Sequence, residues 1–386
     1  MNNSILNIKG VSEELLLITH IINSKTLIDN EVKDSIDWNL FVELILHHRL
    51  HPYIYPILEK YDGDKLPSRI KSRLKNYYVY NTFQMLHLSG EMDKLAKIFM
   101  KNDIKSIFLK GPFLGRFIYG DINLRTSGDI DILISIDELE KVESLIISLG
   151  FEKDDYIKTV LNDWKWRHHH ITFINPNTNI KLELHWRLNP GPAKEPSFKE
   201  LWERRKMCQL SSNYAFQLGD EDMFLFLVAH GARHGWSRLR WLLDIHYLTS
   251  KNINWDASID YLKRYKLVHL AGQALILSRN VFNTKTTNEL DWLISNEKSN
   301  KLAQAAMFYL ERMVNLHSEP LPQEVSNYHK KHLFDLMSPS QKFLTLLSHL
   351  HPYPIDAETL PLPKQLHILY FPLRPLLWAL RKKSLS

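Results

Sequence analysis

Two aspartates separated by one residue, Asp129 and Asp131, lie inside the run Ser127-Gly128-Asp129-Ile130-Asp131-Ile132-Leu133-Ile134. Side chains on a strand alternate between faces, so both carboxylates project one way while Ile130, Ile132 and Ile134 fill the other side. Carboxylates held side by side repel each other unless a proton or a cation intervenes, and at neutral pH a divalent metal is the most favourable partner. Magnesium, with manganese as a substitute, is the expected ion. A third acid, Glu183, falls in the alternating run Ile180-Lys181-Leu182-Glu183-Leu184-His185-Trp186. That alternation places Lys181, Glu183 and His185 on one face and Leu182, Leu184 and Trp186 on the other. Three acids on neighbouring strands could hold one or two metal ions over a polyphosphate. Such a site requires an oxygen of Glu183 within about 5 Å of one from Asp129 or Asp131. His185 is placed to relay a proton or hold a leaving phosphate.

The elements that must position these residues are legible around them. Ile104 to Leu109 predicts a strand that stops at Lys110-Gly111-Pro112 and turns into a helix ending near Tyr119. Gly111 lets backbone approach an anion closely, and the first N–H groups of the following helix favour phosphate. A loop through Asp121 and Asn123 then carries Arg125 to the Asp129–Asp131 strand. A helix from Asp137 to Leu149 follows, with Gly150 as its cap. Two alternating runs flank Asn175-Pro176-Asn177-Thr178, a hairpin turn composition, and Glu183 lies on the second arm. On the first arm His168 and His170 are expected on one side and His169 on the other. A strand role is the main reading for these three histidines, with substrate or metal contact as the alternatives.

The string Leu109-Lys110-Gly111-Pro112, Tyr119-Gly120-Asp121, Leu124 to Asp131 and Leu184-His185-Trp186-Arg187 resembles the polymerase-β-type nucleotidyltransferase superfamily. Within it, the string is similar to a bacterial branch known as uncharacterised nucleotidyltransferases, which often accompanies peptide or polysaccharide biosynthesis genes. The resemblance covers roughly Ile104 to Leu248. It implies an α+β (mixed α/β) fold, a nucleotidyltransferase-type mixed sheet with helical N-terminal and C-terminal units. It also implies catalysis by Asp129, Asp131 and Glu183 as metal ligands. Nucleotide binding falls to Lys110, Gly111, Arg125, Ser127 and His185. The superfamily usually has Gly-Ser at the turn where this chain has Gly111-Pro112, so Lys110 or Arg125 takes over the lost serine contact. His230, Arg233, His234, Trp236, Arg240 and Asp244 are similar to a helical region that closes over the nucleotide, with His230, His234 and Arg240 as substrate or nucleotide contacts. The competing reading is a solvated helix pair tied by an Arg240–Asp244 ion pair.

The chain has 386 residues, 44% hydrophobic and 24% charged, with a formal charge of +6. This is globular material, long enough for two or three structural units. Lysines are dispersed, which suits anionic small substrates and makes nucleic acid an unlikely partner. The lone cysteine, Cys208, excludes an intramolecular disulfide and any cysteine-rich zinc module. With no secretion-signal layout at Met1 to Leu6, a cytoplasmic location is expected. Leu366 to Leu380 is apolar but too short and interrupted to span a bilayer, and packing against the domain is its expected fate.

Helical spacing predicts helices over Val11 to Ser24, from Asp37 to His47, and from Pro67 to Asn102. His47, His48 and His51 read as structural, and Tyr77, Tyr78 and Tyr80 chiefly as core packing, with base stacking as the alternative. Asp220 is expected to cap a helix running to His234, and from there the chain reads as helical throughout. The predicted units are a helical N-terminal unit (1–103), the transferase core (104–219) and a helical C-terminal unit (220–386). The expected reaction moves a nucleotidyl group from a nucleoside triphosphate to a hydroxyl or phosphate of a small-molecule or peptide acceptor. The alternatives are glycosyl transfer from a nucleotide-sugar held by the same metal cradle, and a non-catalytic nucleotide- or partner-binding protein.

Overall fold

The structure, a computed structural model, describes residues 6–384 except 155, 156, 158, 162, 210–212 and 319, with side chains described to residue 381. Most of the Met1 to Leu6 segment and part of the 154–166 stretch therefore lie outside the described residues. A seven-stranded mixed sheet forms from β1 (Ser106–Phe108), β2 (Asp129–Ile134), β3 (Glu152–Lys153), β4 (His170–Asn175), β5 (Ile180–His185), β6 (Lys206–Gln209) and β7 (Tyr214–Gln217). Its order is β3-β4-β5-β2-β1-β7-β6. Strands β2 and β5 pair in parallel, as do β1 and β7, and the remaining pairs are antiparallel. Helices precede and follow the sheet, so the expected mixed α/β class holds.

The alternation on β2 and β5 decides which side of the sheet is apolar. Ile130, Ile132, Ile134, Leu182 and Leu184 pack under Met85, Leu88, Met92, Leu95 and Phe99 of the helix Ser68–Lys101 and under Val142 and Ile146 of the helix Leu139–Ser148. The three isoleucines are fully buried, each stabilising the fold by about 1.5–3 kcal/mol. On the opposite face Leu133 joins a second core. That core combines the N-terminal helices with the helices Asp220–Arg233, Leu239–Leu248 and Val268–Phe282. The second face of β2 thus runs Asp129, Asp131, Leu133, polar at one end and apolar at the other, and the polar end opens into a cleft.

Local signals place most helices where the sequence predicts them. Ser12 caps Glu13–Ser24 through the Leu15 N–H, and Asp37 caps Trp38–His47 through the N–H groups of Asn39 and Leu40. The helix after β1 spans Pro112–Tyr119 as expected. Gly111 before it has φ +81°, a left-handed backbone position that side chains rarely adopt, although a Cβ there would make only ordinary contact with Met92 Sδ at 3.4 Å. Only glycine makes this turn without strain. Gly235, φ +61°, joins the next helix pair and lies so close to the Tyr309 ring that no side chain fits. Asp220 is the first residue of its helix rather than its cap, and its carboxylate takes the Lys206 ammonium at 2.6 Å.

Near the C-terminus the structure departs from expectation. Leu376, Trp378 and Leu380 are 63%, 59% and 59% exposed. Tyr370 and Leu377 are buried, while Arg374 and Arg381 clasp the buried Asp356. The segment ties itself together through these ions and only partly covers its apolar surface. No described helix is long and apolar enough to cross a membrane.

Candidate active site

The parallel register of β2 and β5 sets Asp131 directly opposite Glu183. Asp131 is fully buried, and its Oδ1 accepts from Lys110 Nζ at 3.1 Å and faces His185 Nε2 at 3.1 Å. Its Oδ2 is also buried and has no hydrogen-bond partner among the described residues. Glu183 Oε1 takes Lys181 Nζ at 2.7 Å, and Oε2 lies 3.4 Å from His185 Nε2 and 3.9 Å from His170 Nε2. One ligand atom each from Asp131, Glu183 and His185 falls within 4.8 Å of the others, so the spacing expected of Glu183 is met through Asp131. Asp129 lines the same cleft two residues earlier but is not part of that triad. The Ser127 hydroxyl donates to its backbone oxygen at 3.2 Å and lies 3.5 Å from its Oδ1.

Charge splits the two aspartates. Burial and the neighbouring Asp131 raise the carboxyl of Asp129 above its ordinary value. Burial pushes Asp131 the same way, but Lys110 and His185 outweigh it and hold the group below the usual range. Glu183 is held low against burial by His185 and His170. Burial disfavours a charge on His185, yet its bonds to Asp131 and Glu183 keep the imidazole more basic than usual. The floor of the cleft is therefore anionic at Asp131 and Glu183 and braced by Lys181 and His185 of β5 and by Lys110 of the turn after β1.

The cleft holds about 610 Å³ and is lined, besides the acids, by Arg49, Arg233, Arg238, Arg240, His230, His234 and His317. Burial lowers the pKa of Arg233 and Arg238 to about 10 and of Arg240 to about 9. None of these four arginines makes an ion pair among the described residues. Arg233 Nη1 lies 3.4 Å from His169 Nε2, Arg238 donates to the Asn315 side chain at 2.8 Å, and Arg240 donates to the Thr126 carbonyl at 2.6 Å. Arg240 Nε is buried without a partner. Buried guanidinium groups lacking a carboxylate are expensive, and an anionic ligand relieves the cost. His230 and His234 are pushed well below their ordinary values by burial and the surrounding cations, so both are neutral donors or acceptors.

Of the sequence-predicted residues, Lys110, Ser127, Asp129, Glu183, His185, His230, His234 and Arg240 all line this cleft, with Asp131 beneath them. Gly111 sits behind, at the start of the helix Pro112–Tyr119. Arg125 touches the cleft but its charge is already committed. Nε bonds both oxygens of Asp244 at 3.1 and 3.2 Å, Nη2 bonds Oδ2 at 3.1 Å, and Tyr119 donates to Oδ1 at 2.8 Å. Asp244 thus pairs with Arg125, and the Arg240–Asp244 pair that helical spacing suggests does not form. The expected division of the histidine triple also fails. β4 begins at His170, so alternation does not govern His169, and both side chains reach the cleft. Arg49, Arg238 and His317 were not singled out from the sequence. Arg49 stands at a left-handed backbone position, φ +56°, that turns it toward the site, and no sequence signal marks that turn. Arg238 alternates with Arg240 about Leu239, a pattern that could have identified it. The structural reading of His48 holds: it is buried, accepts the Leu239 N–H at 3.3 Å, and its carbonyl takes the Arg240 N–H at 3.3 Å.

A family model described as uncharacterised nucleotidyltransferase matches residues 34–283. The chain belongs to the uncharacterised nucleotidyltransferase family. The matched span contains the whole acid floor and all four unpaired arginines, and it excludes only His317 among the cleft residues named above. Family membership makes this chain a transferase that takes a nucleotide donor. A search of curated proteins returns no match.

Proposed function

We propose that the chain catalyses magnesium-dependent transfer of a nucleotidyl group from a nucleoside triphosphate to a hydroxyl or phosphate of a small-molecule or peptide acceptor. The observation that carries this reading is the buried Oδ2 of Asp131, without a partner among the described residues and set in register with Glu183, just beneath a cleft whose arginines make no ion pair among those residues. An orphaned carboxylate oxygen beside a second carboxylate suits a hard divalent cation. Asp129, Asp131 and Glu183 would hold it, and it would supply Lewis acidity at the phosphates together with a lowered pKa for the acceptor hydroxyl. Manganese suits the same oxygen set.

The remaining work belongs to the protein. Lys110, tethered to Asp131 and only 15% exposed, meets phosphate at the mouth of the turn, where Gly111 and the helix start behind it offer backbone N–H groups. Ser127 can rotate its one hydroxyl proton from the Asp129 backbone oxygen to a phosphate oxygen. Arg233 and Arg240 take the charge-neutralising task that the sequence suggested for Arg125. His185 is a positioning residue, holding Asp131 and Glu183 in one plane of approach through its Nε2. In the transfer itself the acceptor oxygen bonds to the α-phosphorus, the bond to the bridging oxygen breaks, pyrophosphate leaves with the electron pair, and the acceptor proton passes to water.

The test incubates the full chain with magnesium, triphosphates labelled at the α-phosphate, nucleotide-sugars labelled in the sugar, and a panel of hydroxylated and phosphorylated acceptors including peptides. Label from the α-phosphate is expected in the acceptor with pyrophosphate released in equal amount. Movement of sugar label alone would replace this reading with glycosyl transfer. Nucleotide binding without movement of either label would make the protein a nucleotide-binding module.

A further inference from the structure

We propose that a second cavity, adjoining the cleft, binds the base of the donor nucleotide at Tyr77 and Tyr80 of the helix Ser68–Lys101; this inference rests on the nucleotidyl-transfer reading. The cavity holds about 560 Å³ and shares Arg49, Ser127 and Gly128 with the cleft, so the two adjoin along these residues. A Cβ placed on Gly128 would meet no atom within 4 Å, so open space lies beside the turn that the two share. The linking turn leads directly into Asp129, so a ligand crossing it lies beside the acids.

The two compartments differ as the two ends of a nucleoside triphosphate differ. Among the described residues no carboxylate lines the second cavity, and Arg49 at the shared edge is its only permanent charge. Burial and the nearby cations Arg49 and Arg240 keep His51, also in its wall, neutral, with a pKa of about 4. Its lining is mainly apolar with side-chain amides from Asn76, Asn81 and Gln84. A nucleobase is uncharged and planar, with a donor and acceptor edge, whereas the triphosphate is a polyanion. Aromatic faces stack the first and amides read its edge, while the arginines of the cleft take the second. Tyr77 and Tyr80 are 38% and 69% exposed, large aromatic surfaces left open on one stripe of a long helix. Tyr78 is different: its ring packs tilted against Tyr55 with centroids 5.1 Å apart, so the tyrosine cluster divides into one packing residue and two that line the cavity.

The test measures binding by calorimetry, in magnesium, of α,β-methylene ATP, α,β-methylene UTP and inorganic tripolyphosphate. Wild-type protein should bind the nucleotides more tightly than tripolyphosphate. Tyr80→Ala should weaken nucleotide binding about tenfold while tripolyphosphate binding stays within about twofold, and Tyr80→Phe, which keeps the stacking face, should restore it. Tyr77→Ala should act in the same direction. Because both tyrosines are partly exposed, neither change removes core volume. Unchanged nucleotide affinity in both alanine variants, including the case in which only an acceptor KM rises, would overturn the base assignment and leave the transfer reading standing. Wild-type protein that binds neither nucleotide nor tripolyphosphate would overturn the transfer reading itself.

Discussion

Arg125 and Asp131 are six residues apart in the chain and both are buried, yet their surroundings follow opposite rules. Around Arg125 the charges are matched: Asp244 receives three guanidinium contacts and the Tyr119 hydroxyl, and no atom of that carboxylate is left without a partner. Around Asp131 they are not. Lys110 and His185 share one oxygen, the other is unmet, His185 Nδ1 is also unmet, and a second carboxylate stands opposite. A saturated buried pair holds elements together, here the loop before β2 and the helix Leu239–Leu248. An unsaturated one stores a demand for a ligand, and such departures from full satisfaction mark functional sites.

The comparison can be broken most decisively at Asp131. Asp131→Asn keeps shape and one acceptor oxygen but removes the charge, and transfer is expected to fall on the order of ten-thousandfold, about 5.5 kcal/mol. Its Tm should change far less than that of the variant described next. Paired activity assays and thermal melts check this, and wild-type transfer in the variant would end the metal reading. Asp244→Ala addresses the saturated cluster. Stranding the fully buried guanidinium of Arg125 should cost about 3–5 kcal/mol of stability in a urea titration. A loss near zero would mean that the cluster is no structural clamp. The smallest effect is expected where the two kinds of site meet, at Lys110, which is paired like a structural lysine but opens to the cleft. Lys110→Ala should weaken tripolyphosphate binding about tenfold, ~1.4 kcal/mol, with melting little changed. Calorimetry that shows wild-type affinity would assign Lys110 to the structural class.

Much of the acid floor was legible in the sequence because strand alternation is local. The Asp129-Ile130-Asp131 spacing fixes which side chains share a face, and the isoleucines on the other side fix which face is buried. The same holds for Leu182, Glu183 and Leu184, and the glycine turn at Gly111 announced the helix that follows β1. What alternation could not supply is the register between strands. Asp131 meets Glu183 only because β2 and β5 lie parallel and adjacent, although β4 and the hairpin turn separate them in sequence. Asp129 shares the face of Asp131 yet falls outside the close triad for the same reason.

The arginines show the limit most sharply. Arg125 and Arg240 look alike as residue types beside the site, and helical spacing even offered Asp244 to the wrong one. Which guanidinium receives that carboxylate depends on how the helix Leu239–Leu248 packs against the loop before β2, a contact across 119 residues. Sequence by itself determined the faces of β2 and β5, the glycine turn, the caps at Ser12 and Asp37 and the family, all properties of short segments or of their order. Tertiary structure alone decided which buried charges are already satisfied and which still await an anion or a cation, because a charge buried in low dielectric is governed by whichever opposite charge folding brings within a few ångströms, however distant in the chain.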